Sequence, residues 1–270
     1  MIPVMVAISK SNRRVKELRK LLRSSRYRDD TKTFAIEGRS LLEEAISTGN
    51  IPIDIFLDEN VEGIEVEIEN LNCESTKVWH VDGGTFKSIA STQNPQPILA
   101  TMSMVDSEFA KILRLSPRFL VVGVGISDPG NAGTIIRTAA AAGADGVVFS
   151  EGSVDIYNPK AVRSSAGSIF RIPIVRSVEM KDFLHHCQRT GVATLGLCGN
   201  GEIRYDAYDL NQPLALLVGN ESHGLESQIR GELTAEISIP MESGIESLNA
   251  ATALSIVSFE LRRQRSSNDV

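Results

Sequence analysis

The hydrophobic and polar positions of the N-terminal third follow two alternating periods. Helical patterns at Arg39 to Ser47 and Thr85 to Ala90 come after apolar runs that are typical of β-strands. These strand-like runs cover residues 33–36, 53–57, 77–81 and 98–102. Strands and helices that alternate at such lengths predict a small α/β unit.

The segment before these runs predicts an amphipathic helix from Ser11 to Leu22. Ser11 or Asn12 is a suitable N-cap, and the exposed face is basic. The apolar positions recur at helical spacing, at Val15, Leu18, Leu21 and Leu22.

The pattern changes beyond a turn-rich stretch at 92–97 and a polar, helix-prone connection at 105–117. We therefore predict one domain at residues 1–105 and a second at 118–270. The second contains the apolar runs FLVVGVGI, GVVFS, RIPIV, ATLGLC, LALLVG and AEISIP. Continuous apolar runs predict mostly parallel strands buried on both faces, whose ligands bind beyond the carboxyl ends of the strands.

Composition narrows the class of protein. The chain has 270 residues, 42% of them hydrophobic, which suits two modest domains. No apolar run approaches the roughly 20 residues that span a bilayer, and the first charges follow the N-terminal apolar stretch rather than precede it. The three cysteines lack CxxC spacing, and the four histidines do not combine with cysteines or carboxylates at metal-ligand spacing. We expect a cytoplasmic protein without a metal site; the cysteines are Cys73, Cys187 and Cys198.

Charge is distributed unevenly along the chain. The net charge is −6, yet residues 1–28 hold nine basic side chains against Glu17 alone, so that segment is +8 and the remainder is −14. A solvated helix face is the alternative interpretation. The asymmetry favours an element that contacts nucleic-acid phosphate, and the side chains predicted to do so are Arg13, Arg14, Arg19 and Arg23.

Three strand ends carry polar side chains. The first, after FLVVGVG, breaks at Asp128-Pro129-Gly130; Asn131 is a candidate helix cap, and Arg137 lies almost two turns into the helix. Free amides at a helix N-terminus beside an arginine form an anion site, although this segment alone favours an ordinary strand-turn-helix with a surface arginine. The glycines here do not form GxGxxG, so the dinucleotide fingerprint is absent.

The second strand, LALLVG, ends at Gly219, where the backbone allows close approach of a ligand. Glu221 follows, either as a cap of the next helix or as a catalytic group, and His223 is interpreted as a loop residue. The third strand ends at Pro240, and Ser247 to Asn249 then open a helix of small residues.

Together, in this order, these segments resemble the three motifs of the SpoU (TrmH-like) family in the SPOUT superfamily of RNA methyltransferases. DPGNxGxIxRTAxxxGxDGV, LxLxxGNExxGL and IPMxxxxESLNxxxAxxIxxFExxR all match, over roughly residues 118–264. The N-terminal part resembles the family's substrate-binding domain more loosely. One departure is Val124-Gly125, where the family usually has Asp-Gly.

The resemblance implies an α/β fold with a trefoil-knotted, mostly parallel catalytic domain of SPOUT type, a small N-terminal α/β RNA-binding domain, a homodimer, and S-adenosylmethionine as the cofactor. Its cofactor-binding positions correspond to Leu197, Gly199, Gly219, Ile239 and Leu248. Its active-site positions correspond to Asn131, Arg137, Glu221, Ser247 and Asn249. Arg163 and Ser164 are further candidates for RNA phosphate contacts.

The function implied is methylation of a ribose 2′-hydroxyl in structured RNA, with ribosomal RNA preferred. A tRNA or base-nitrogen methyltransferase and a catalytically silent RNA-binding protein remain alternatives. The family usually assigns proton removal to the arginine that matches Arg137. Because guanidinium groups keep their proton at neutral pH, we favour a role in clamping phosphate and polarising the hydroxyl. The target nucleotide and any effect on antibiotic resistance stay open.

Overall fold

The computed structural model describes residues 6–61, 76–90, 94–114, 117–244 and 247–266. Cys73, residues 92–93 of the turn-rich stretch and residues 115–116 of the connection lie outside them. The chain divides into two compact units. The first is Met1–Met104 with Asp155–Phe170, and the second is Val105–Val154 with Arg171–Val270.

The first unit contains a mixed five-stranded sheet in the order β1-β4-β3-β5-β2. Its strands are β1 Val6–Ile8, β2 Thr33–Glu37, β3 Asp54–Asp58, β4 Lys77–Val81 and β5 Ile98–Ser103. β1, β4 and β3 are parallel, whereas β5 is antiparallel to both β3 and β2. The four strand-like runs are confirmed; β1 was not foreseen.

The helices of the N-terminal part are α1 Arg13–Arg23, α2 Ser25–Thr31, α3 Arg39–Ser47 and α4 Gly83–Ile89. Asn12 caps α1, because its side chain accepts a hydrogen bond from the Arg14 amide at 2.8 Å. The four apolar positions of the helix are all buried, in a cluster with Phe56 and Phe86. The predicted amphipathic helix is therefore confirmed, with its basic face outward.

The second unit is built on a seven-stranded sheet in the order β10-β12-β9-β11-β6-β7-β8, all parallel. Its strands are β6 Phe119–Gly123, β7 Gly146–Ser150, β8 Ile174–Val178, β9 Ala193–Leu197, β10 Ile203–Arg204, β11 Leu214–Val218 and β12 Ala235–Ser238. Every residue of β6, β7 and β11 is buried. The predicted α/β class is confirmed, and the two-residue strand β10 is an addition.

The remaining helices are α5 Phe109–Arg114, α6 Pro129–Ala142, α7 Pro159–Ser164, α8 Met180–Thr190, α9 Ser227–Arg230 and α10 Ala250–Ser266. α10 packs on α6, where the Thr138 and Ser255 hydroxyls are 2.8 Å apart. Leu254 and Val257 are buried there, whereas Phe259 remains 47% exposed. Small side chains on both helices permit this close packing.

Residues 155–170, which the sequence assigns to the second domain, group with the first unit. A buried ion pair joins them to α2, with Arg28 Nη2 2.6 Å from Asp155 Oδ2. The Tyr157 ring packs against the Phe34 ring of β2 in a tilted arrangement, with ring centroids 4.6 Å apart. Packing of apolar and charged side chains, rather than position in the sequence, decides which unit this segment joins.

Candidate active site

The carboxyl ends of β9, β11 and β12 share one edge of the parallel sheet and border a cavity of about 260 Å³. Its walls are largely apolar, with Val218, Ile237 and Met241 among them. All five residues predicted to bind the cofactor line it: Leu197, Gly199, Gly219, Ile239 and Leu248. The structure brings these positions together as the resemblance implied.

The turn after β11 gives a reason of its own for a glycine at position 219. A Cβ on this residue would lie 2.2 Å from the carbonyl carbon of Gly224 and 2.5 Å from the Leu225 nitrogen. The turn that follows β11 therefore leaves no room for a side chain at position 219, even without a ligand in the cavity.

Asn220 holds that turn in place. Its side-chain amide donates to the Gly125 carbonyl at 2.8 Å, and its oxygen accepts from the Ser222 amide at 2.9 Å. The loop after β11 is thus tied to the loop after β6. Val124, at the family's aspartate position, is buried, and its N–H donates to the Val218 carbonyl at 2.9 Å.

Glu221 anchors the loop that precedes α6. Its carboxylate accepts hydrogen bonds from the Ser127 hydroxyl at 2.7 Å and amide at 3.2 Å, the Asp128 amide at 3.2 Å, and Asn131 Nδ2 at 2.8 Å. It does not cap the next helix, because α9 begins after Glu226. The capping alternative for Glu221 is therefore wrong.

The hydrogen bonds to Glu221 also determine its protonation. Burial by itself raises the pKa of this carboxyl, but the bonds from Asn131, Ser127 and the Asp128 amide outweigh burial and lower the pKa to about 2. The group is ionised at neutral pH. It can hold donors in place, but it is a weak base for removing a ribose proton.

Asn131 and Asn249 extend this network to the third strand end. Asn249 Nδ2 donates to Asn131 Oδ1 at 2.9 Å, while Asn249 Oδ1 accepts from the Ala251 amide at 3.0 Å at the start of α10. Asp128, not Asn131, caps α6 by accepting from the Asn131 amide at 3.0 Å. Because Asp128 supplies the cap of α6, the Asn131 side chain is not needed there and bridges Glu221 and Asn249 instead.

Arg137 and Ser247 complete the predicted set. Ser247 is exposed and lines the cavity. Arg137 is exposed on α6 and is not among the residues that line the cavity. Within the described ranges, no hydrogen bond or ion pair engages its guanidinium. The side chain is thus available to an external anion.

The basic side chains of the first unit differ in availability. Arg23 is exposed; Arg13 is paired with Glu17 at 2.7 Å, and Arg19 donates to the Ser88 hydroxyl at 3.2 Å. Arg28, counted in the basic segment, is 3% exposed and held by Asp155. Arg28 is therefore held within the fold and does not contribute to the exposed basic face.

Arg163 and Ser164 lie on α7 in the first unit. The Arg163 guanidinium is 4.0 Å from the Glu37 carboxylate, and the Ser164 hydroxyl donates to the Lys160 carbonyl at 2.7 Å. Neither residue lines the cavity at the strand ends, and their contact with RNA stays a prediction.

Sequence reasoning missed Ser127 and Asp128, which supply three of the four donors to Glu221. It also left the positioning role of Asn220 unrecognised.

Among the described residues, no cluster of three or more histidines, cysteines or carboxylates could hold a metal, and no helix has the length and apolar character to cross a membrane.

Comparison with known families matches residues 118–259 to the SpoU rRNA Methylase family. Residues 12–100 match the MRM3-like substrate binding domain.

Individual relatives resemble almost the whole chain. The 23S rRNA (guanosine(2553)-2′-O)-methyltransferase RlmP of Bacillus subtilis is 32% identical over 94% of this chain and 98% of its own. The SpoU methyltransferase AviRb of Streptomyces viridochromogenes, solved with AdoMet, superposes with a TM-score of 0.86 at 29% identity, over 95% of this chain and 99% of that one. An AdoMet-bound rRNA methyltransferase of Sinorhizobium meliloti gives 0.85 at 29% identity, over 96% and 98%.

Proposed function

The chain belongs to the SpoU rRNA methylase family, and from that premise we propose that it transfers a methyl group from S-adenosylmethionine to a ribose 2′-hydroxyl of ribosomal RNA. The observation that carries this proposal is the hydrogen-bonded chain Glu221–Asn131–Asn249 beside the cavity. It joins the three strand ends into one site. Asn131 thereby contacts two residues that lie 90 and 118 positions away in sequence.

The cavity suits the cofactor. An adenosine needs an apolar slot with a few polar groups at its edges, which the strand-end residues provide. Leu197, Ile239 and Leu248 would hold it, together with backbone groups of Gly199 and Gly219. When bound, S-adenosylmethionine supplies an electrophilic methyl group on a sulfonium.

The residues of the chain then have to position the ribose. In-line attack requires the 2′-oxygen within about 3–3.5 Å of the carbon that it attacks. Arg137 binds the adjacent phosphate and donates to the 2′-oxygen through its guanidinium, which stabilises the negative charge on that oxygen while the hydroxyl proton passes to water. Glu221, ionised and saturated with donors, fixes Asn131 and the 127–128 turn instead of accepting the ribose proton.

The quaternary and cellular proposals rest on smaller observations. We propose a homodimer because Phe259 projects from α10 with 47% exposure, whereas Leu254, Val257 and Leu261 of the same helix are buried. We propose a cytoplasmic location because Cys187 and Cys198 are free thiols, as expected in a reducing compartment.

The decisive experiment incubates the full chain with radioactive methyl donor and either ribosomal RNA or tRNA, followed by alkaline hydrolysis. A 2′-O-methyl group blocks cleavage of the adjacent phosphodiester, so label should appear in an alkali-resistant dinucleotide of rRNA. Label in mononucleotides would indicate base methylation. Absence of label in rRNA, with cofactor binding intact, would contradict the proposed activity.

A further inference from the structure

A second cavity, of about 200 Å³, lies in the first unit between α1, α2 and the sheet. Its apolar floor contains Leu18, Leu21 and Phe56, and Tyr27 forms part of a wall. Ile53 lies at its rim and is 40% exposed. None of these residues belongs to the site at the strand ends, so the methyl-transfer mechanism leaves this cavity unexplained.

A buried carboxylate faces this cavity. The Asp54 side chain is 4% exposed; its Oδ1 accepts a hydrogen bond from Trp79 Nε1 at 2.8 Å, and its Oδ2 is 3.4 Å from Arg14 Nη1. A carboxylate has about four acceptor sites. Among the described residues, Trp79 makes the one side-chain hydrogen bond to it. Because Trp79 donates to Oδ1 and Arg14 balances the charge at Oδ2, the acceptor sites that remain at the cavity suit a ligand that carries N–H donors.

Arg14 lies at the same cavity. Its guanidinium is held between Asp54 at 3.4 Å and Glu17 at 3.5 Å, which places its planar group beside the opening. Lys20 lies over the Tyr27 ring at 5.2 Å from the centroid. Planar cationic and aromatic groups beside an apolar slot are the usual partners of an unstacked RNA base.

The identity of the base follows from the carboxylate. Carboxylate oxygens accept hydrogen bonds and repel carbonyl oxygens and ring nitrogens that bear lone pairs. Guanine presents two adjacent N–H donors on its Watson–Crick edge, whereas uracil presents one donor between two carbonyl groups. A cavity of about 200 Å³ is below the roughly 300–1,000 Å³ of pockets for drug-sized ligands and suits a single base.

We propose that this pocket binds an unstacked guanine of the RNA substrate, with the Asp54 carboxylate accepting from the N–H groups of the base edge and Arg14 and Tyr27 flanking its faces. The RNA part of this inference rests on the proposed function. The exposed cations of α1 would then hold the phosphates on either side of the captured nucleotide. The pocket selects the RNA, while the strand-end site performs the reaction.

Calorimetric titration with nucleoside monophosphates tests the proposal. The full chain, saturated with S-adenosylhomocysteine to fill the other cavity, should bind guanosine 5′-monophosphate at least about tenfold more tightly than uridine 5′-monophosphate. Both nucleotides carry the same phosphate, so binding of phosphate by basic side chains contributes equally to the two affinities and does not affect their ratio. Asp54→Asn should remove this preference, and Asp58→Asn on the same strand, whose carboxylate bonds Asn60 outside the cavity, should retain it. Equal affinities in the wild type would overturn the proposal.

Ile53→Trp provides a second variant if Asp54→Asn does not fold, because it fills the opening and leaves the carboxylate in place. KM for rRNA should rise about tenfold while kcat and cofactor affinity stay unchanged. If the Ile53→Trp enzyme is active with an unchanged KM, the proposed guanine pocket is contradicted and the proposed methyltransferase function is not. Failure of the wild type to methylate rRNA would contradict the proposed function, and the nucleotide titration would still decide the pocket.

Discussion

At the scale of single residues, the site depends on side chains that hold one another rather than on any one reactive group. Glu221 illustrates this, since its four hydrogen bonds come from Ser127, Asp128 and Asn131. Because its folded-state pKa is lowered from 4.5 to about 2, these bonds stabilise the fold fully above about pH 4.5. That stabilisation is lost as the pH falls toward 2.

Glu221→Gln should therefore lower the melting temperature at pH 7, and the difference from wild type should shrink as the pH falls from about 4.5 toward 2. Thermal denaturation followed by circular dichroism measures it. Glu226→Gln is the matched control, because Glu226 is exposed and makes no capping hydrogen bond in α9. If the difference in melting temperature stays constant across this pH range, the hydrogen-bond partners of Glu221 do not act by stabilising its ionised form.

Arg137→Ala should reduce kcat for RNA methylation by about a hundredfold or more, because it removes a donor that acts on the reacting nucleotide. Cofactor affinity, measured by calorimetry, should be nearly unchanged since Arg137 does not line the cavity. Arg189→Ala, which removes an exposed arginine from α8, should remain active. Retention of more than about a tenth of wild-type kcat would refute the assignment of Arg137.

At the scale of elements, α1 combines a buried apolar face with an exposed basic one in an otherwise acidic chain. Each phosphate contact steepens the log–log salt dependence of binding by roughly 0.7 to 0.9. Replacing Arg13, Arg19 and Arg23 together with alanine should flatten that slope by about two and raise KM for RNA.

The control for this prediction removes equal charge from the second unit, by replacing Arg118, Lys181 and Arg189, all exposed. Filter binding at several salt concentrations measures both slopes. If the α1 variant and the wild type have the same slope, the basic face is only solvated, and RNA recognition has to be sought elsewhere in the chain.

At the scale of the whole molecule, the proposed homodimer should depend on the exposed part of α10. Phe259→Glu places a charge in the proposed interface and should yield monomers in sedimentation velocity at micromolar concentration, with loss of activity. Ile203→Glu, at a similarly exposed apolar residue of β10, should remain dimeric. An active wild-type monomer at that concentration would contradict the dimer.

The sequence alone determined those features that depend on local period and order. Helix α1 was predictable because its apolar positions recur every three to four residues, and β6, β7 and β11 because continuous apolar runs require burial on both faces. The order of three strand-end motifs was sufficient to identify the family. The resemblance to that family then supplied the cofactor-binding positions, and parallel strands bring such positions to one edge because their carboxyl ends meet there.

Only the tertiary structure decided which polar groups meet. Glu221 accepts from residues 90 and 94 positions away, and nothing in either local pattern encodes that pairing or the lowered pKa that results. Burial of Arg28 likewise required Asp155, 127 residues distant, to compensate its charge. The buried Asp54 and its cavity arise from packing of α1 and α2 on the sheet. Periodicity is a property of neighbours in sequence, whereas partnership and desolvation are set by neighbours in space.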